Sequence, residues 1–192
     1  MNAARKLLSL LTAVMLLCSL TPAQAEAGPE SAAPEPLSAQ ACMAGLELMA
    51  AHAGGTLEWH SEPFPAAPEL TAITCVTLDG SPVLITSGDT VVMLAARSAF
   101  DPADMQGSFD TCMGAILSAL LPVLISGNLT REEAIDAILP FINGEDFIPG
   151  VLRAMDGEEF WFTFEGHDGL IVLLEDELCL YLYTAPELIP QL

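Results

Sequence analysis

Apolar positions along the chain follow two spacings, and the points where one gives way to the other divide it into elements. From Ser38 to about His52 the spacing is helical: Cys42, Leu46, Met49 and Ala53 fall on one stripe. Ser38 is placed to cap this helix and Gly54-Gly55 to end it. TLEWH (56–60) reads as a short strand, and SEPFPAAPE (61–69), with its prolines, as a loop. A strand pattern then takes over. Leu70–Leu78, Val83–Thr86 and Thr90–Ala96 are predicted to form a β-meander, with turns at Asp79-Gly80 and Ser87-Gly88-Asp89 and Pro82 at a strand start. Residues 97–107 read as a linker around Asp101-Pro102.

The middle of the chain returns to helical spacing. Phe109–Ile125 is apolar nearly all round, which predicts a helix buried on most sides, with Pro122 bending it. Thr130 and Glu133 form a capping-box pattern ahead of the stripe Ile135, Ile138, Leu139 and Ile142, and Asn143-Gly144 closes that helix. A second meander follows. In EFWFTFE, Phe160, Phe162 and Phe164 line one strand face, opposite Trp161 and Thr163. Gly166–Gly169 reads as a turn. LIVLLE does not alternate and is predicted as a central strand covered on both sides; LCLYLY is the last strand. The expected fold is α+β, about three helices packed on antiparallel β-meander sheet, with two echoing helix-plus-meander halves. The expected domain is 38–192.

The first 25 residues change the picture. Arg5 and Lys6, an apolar run from Leu7 to about Leu20, and Ala23-Gln24-Ala25 have the form of a secretory signal cleaved after Ala25. The run is too short to span a bilayer. EAGPESAAPEPL (26–37) reads as a proline-rich, disordered leader. The expected location is the bacterial periplasm or the exterior.

Cleavage also changes the cysteine count and the charge. Losing Cys18 leaves Cys42, Cys75, Cys112 and Cys179, an even set that in an oxidising compartment argues for two disulfides. Helix and strand alternate along these four, so the simplest expected pairing is Cys42–Cys75 and Cys112–Cys179. No Cys-x-x-Cys is present for redox or zinc chemistry. Arg97, Arg131 and Arg153 are the only basic residues past the signal, and they face 26 acidic ones, a formal charge of −23. Such a chain is repelled by nucleic acid and by anionic membrane surfaces, and it suits a basic partner such as an envelope protein.

Candidate chemistry is thin. Glu58 and His60 are two apart on a short strand and could share a face, half of an acid/base or metal site, but no His-x-His or His-Glu-x-x-His supports them. His52 suits a helix end, and His167-Asp168 a turn. No Gly-x-Ser-x-Gly and no phosphate-binding glycine loop occurs. The acidic runs at 143–146, 156–159 and 175–177 could ligate calcium, though none has the twelve-residue loop pattern. The phenylalanine stripe suits core, whereas Trp59 and Trp161 suit a binding surface. The reading is a non-catalytic binding protein with no cofactor. A small hydrolase using Glu58 and His60 and a calcium module are the alternatives.

Overall fold

The structure is a computed structural model and describes residues 36–52, 54–65, 67–75, 83–126 and 129–185. The signal segment, the leader as far as 35, and the Asp79-Gly80 turn with Pro82 lie outside the described residues. The elements are α1 Ala39–His52, β1 Trp59–Phe64, β2 Ala67–Cys75, β3 Val83–Ser87, β4 Thr90–Ala99, α2 Met105–Ser126, α3 Arg131–Ile142, α4 Phe147–Met155, β5 Phe160–Phe164, β6 His167–Leu174 and β7 Glu177–Tyr183. The class is α+β: four helices pack on one antiparallel sheet of seven strands ordered β1-β2-β3-β4-β7-β6-β5. Two meanders therefore meet through their last strands, β4 and β7.

Side-chain alternation assigns the two faces of the sheet. Leu84, Leu94, Leu182, Leu180, Leu178, Ile171 and Phe160 point to the helices and share one core with Cys42, Ile116, Leu120, Ile138 and Val151. A smaller apolar cluster, Leu70, Ala72, Ile85, Val92 and Ala185, includes no described helical residue. α2 lies at the centre of the helical layer, against α1, β4 and α3. By length and composition α2 is apolar enough to cross a bilayer, but most of it is buried inside the fold. It runs through Pro122, whose Cα lies 3.4 Å from where a β-carbon on Gly45 of α1 would stand. A glycine at that crossing lets the two helices approach closely.

Local signals act as their chemistry dictates. Thr130 caps α3 by accepting from Glu133 N–H, and the Glu133 carboxylate accepts in return from Thr130 N–H at 2.8 Å. Leu37 is already buried, and its carbonyl accepts from Val91 N–H at 2.8 Å.

Several expectations are corrected. Residues 61–69 are not a loop, because β1 and β2 form a hairpin there. Pro63 is tolerated on an edge strand, and Pro68 precedes Thr71, where β3 begins to pair. The linker starts later than 97, since β4 continues to Ala99 beside β7. The fourth helix, α4, falls in a stretch for which no element was expected, and it carries Pro149 and Gly150. Pro149 sits in the first turn, where its missing N–H costs nothing, and Gly150 makes room for the Phe160 ring. The turn before β6 is Glu165-Gly166, with φ of 50° and 79°, so His167–Gly169 is strand. β6 lies next to an edge strand and is covered by helices on one face only: Ile171 is buried, and Leu174 on the opposite face is exposed.

The two expected disulfides are absent. Cys42, Cys75, Cys112 and Cys179 are all buried thiols. Cys112 points from α2 into the helix-side core, while Cys179 alternates with Leu178 and Leu180 and points to the other sheet face. The sheet itself separates the pair, and a disulfide needs β-carbons about 4 Å apart. α1 packs chiefly on α2, which places Cys42 in the main core, whereas Cys75 ends β2 opposite Trp59 of edge strand β1.

Candidate binding face

Strand register builds one long row on the sheet face away from the main core. His60 pairs with Thr74, Thr74 with Val83, Val83 with Ala95, Ala95 with Tyr181, Tyr181 with Leu170, and Leu170 with Trp161. Directly opposed residues of antiparallel strands project to the same side, so these seven form one line from edge to edge. Beside it runs Glu62, Ala72, Ile85, Met93, Tyr183, Asp168 and Thr163. Arg97, Cys179 and Val172 form a third, shorter row.

The β5–β6–β7 end of this face is apolar and open. Trp161 is 56% exposed and Leu174 46%; Leu170, Val172, Tyr181 and Tyr183 are half-buried. Polar atoms ring this patch. Trp161 Nε1 donates to Glu159 Oε2 at 3.0 Å, and Thr163 Oγ1 to Asp168 Oδ1 at 3.4 Å. Arg97 pairs with Glu177 at 3.4 Å, an exposed bridge of little energetic weight. Burial pushes the Tyr181 phenol up to about 12, with the Cys179 thiol beside it adding to the effect. Tyr181 therefore stays neutral and can donate at any ordinary pH. Aromatic side chains thus stand inside a charged rim on this end of the face.

The remaining candidates are dispersed. Glu58 lies exposed in the loop before β1, and His60 lies exposed on edge strand β1 beside Thr74. No hydrogen bond or ion pair joins either to a third polar side chain among the described residues. His167 is buried at the start of β6, facing the helices and paired with Phe164; burial lowers its pKa from the usual 6.5, against the pull of Glu165 and Asp168. Trp59 is half-buried and donates to Glu47 Oε1 at 2.9 Å, tying β1 to α1.

The acidic runs are turns: Asp146 precedes α4, Asp156 and Gly157 follow it, and Glu175 takes φ 55° in the β6–β7 turn. Among the described residues no three His, Cys, Asp or Glu side chains are grouped to hold a metal. The thiols are not poised for chemistry either. Burial pushes Cys42 and Cys112 up to about 12 and Cys75 up to about 11.

The sequence singled out Trp161 but not the row it belongs to. The alternation of LCLYLY placed Tyr181 and Tyr183 together, yet only the register of β4 and β6 shows that they join Leu170 and Trp161. No family model, no curated protein and no solved structure matches this chain.

Proposed function

We propose that the chain is an exported, non-catalytic binding protein that holds a basic protein partner against the open sheet face. The observation that carries the reading is the line Ala95–Tyr181–Leu170–Trp161, which leaves a largely exposed tryptophan beside half-buried apolar neighbours. Exposed aromatic surface of this kind marks interaction sites. The charge selects the partner's sign, because 26 acidic residues favour a cationic surface and speed its approach. The signal-like first 25 residues support export to the periplasm or beyond. Neither the hydrolase using Glu58 and His60 nor the calcium module is supported by a comparable grouping of side chains.

The test places a photoreactive amino acid at position 161 or, as a control, at exposed Asp136 on α3. Each purified chain is exposed to envelope extract at low and high salt. The reading expects a basic protein cross-linked from position 161, lost at high salt and not captured from position 136. Equal capture from both positions, or a salt-insensitive acidic partner, would overturn it.

A further inference from the structure

The two edges of the sheet are protected unequally. On β1, Pro63 has no N–H to offer, Glu62 adds charge, and the ladder is irregular between Pro63 and Phe64. These are the usual defences of an exposed edge. β5 has none of them: Phe160–Phe164 contains no proline and no charge and pairs with β6 in an unbroken register.

The turn fixes which backbone groups β5 leaves open. Glu165 and Gly166, both at positive φ, make a two-residue hairpin loop, so the flanking pair Phe164–His167 is a hydrogen-bonded one. Pairs of this type alternate along an antiparallel ladder. Phe160, Phe162 and Phe164 thus bond to β6, and Trp161 and Thr163 turn their N–H and C=O groups outward. No other backbone bond takes up these groups among the described residues. The same two residues carry their side chains onto the open face.

We infer that β5 receives an extended, basic segment of the partner protein as an eighth strand. Main-chain bonds to Trp161 and Thr163 set its register, and alternate side chains lie on Trp161 and Leu170. Glu158 and Glu159 precede β5, Glu165 follows it and Asp168 lies opposite Thr163; against these four carboxylates stands one cation, Arg153, 3.9 Å from Glu158 across an exposed pair, so the surplus selects lysine and arginine. The carboxylates also disfavour a second copy, since β5 beside β5 would bring the two acidic sets together at a net −21 per full chain.

This inference rests on the proposed function, and the experiment separates the two. The probe is a short peptide of alternating lysine and valine, titrated against the full chain by tryptophan fluorescence. A glutamate–valine peptide is the charge control. Thr163→Pro removes one outward N–H without touching the β6 ladder and should weaken binding about tenfold, the weight of one hydrogen bond. An N-methylated lysine–valine peptide, unable to donate from one edge, tests the same point on the unaltered chain should the proline variant not fold. It should bind at least about tenfold more weakly than the parent peptide. Equal affinity for the parent and N-methylated peptides would overturn strand addition while leaving the open-face reading intact. Failure of the lysine–valine peptide to bind would also overturn it, and the cross-linking from position 161 would then judge the broader reading alone.

Discussion

Phe162 on β5 lies over Gly169 on β6, so closely that a β-carbon at residue 169 would overlap the ring. The same ring sits 5.7 Å from Phe147 of α4 and 5.8 Å from Phe141 of α3. One glycine therefore lets a single aromatic side chain join sheet and helices. Gly169→Ala should force that ring off its site at a cost of about 1–3 kcal/mol. A thermal melt should show Tm lower by several degrees, and an unchanged Tm would deny that the contact is tight.

The Thr130–Glu133 box makes α3 sensitive to acid. Hydrogen bonds from the Thr130 N–H and hydroxyl hold the Glu133 carboxyl below its ordinary pKa of 4.5. A carboxyl lowered in the fold stabilises above its unfolded pKa, and that contribution is lost as pH falls through the folded one. Glu133→Gln should flatten the stability profile in the acid range and leave its neutral shape alone. Thr130→Ala should cost about 1 kcal/mol at pH 7, read from denaturant unfolding.

His167 predicts a second pH dependence at higher pH. Its folded pKa is depressed by burial, so the unfolded chain binds the proton more readily. Stability should fall as pH drops below 6.5 and level off once the folded pKa is passed. Glu165 and Asp168 reduce the depression and therefore narrow the window. Melts of the parent chain and His167→Gln across this range should differ in slope, and identical slopes would show that the imidazole is solvated.

The thiols should be inert in the native state. With Cys42 and Cys112 pushed up to about 12, almost no thiolate exists at pH 8. Burial of Cys112 outweighs the help its thiolate would get from the neighbouring Ser98 hydroxyl. A thiol-specific reagent should leave Cys42, Cys75, Cys112 and Cys179 unlabelled in the folded chain and modify all four after guanidinium. Fewer than four of these thiols reacting after unfolding would restore the disulfide expectation.

Local chemistry was readable in the sequence where one segment decides its own structure. The Thr130 cap, the phenylalanine stripe of β5 and the meander pattern all follow from residues within a few positions of one another. Pro63 and Pro68 misled for the opposite reason: each is harmless only because of where a neighbouring strand lies or stops. The cysteines show the same limit. Alternating helix and strand suggested pairs, but which sheet face Cys179 points to depends on the register of β7 with β4 and β6. The open end of that face was invisible for that reason too, since Tyr181, Leu170 and Trp161 come from three different strands, each contributing one residue.

The most direct measurement is oxidative footprinting of the full chain, alone and with its captured basic partner. The account predicts protection of Trp161, Tyr181 and Tyr183 on binding, while exposed Leu48 on α1 and Leu152 on α4 keep their reactivity. Protection falling on the helices, with these three aromatic residues as reactive as before, would contradict it.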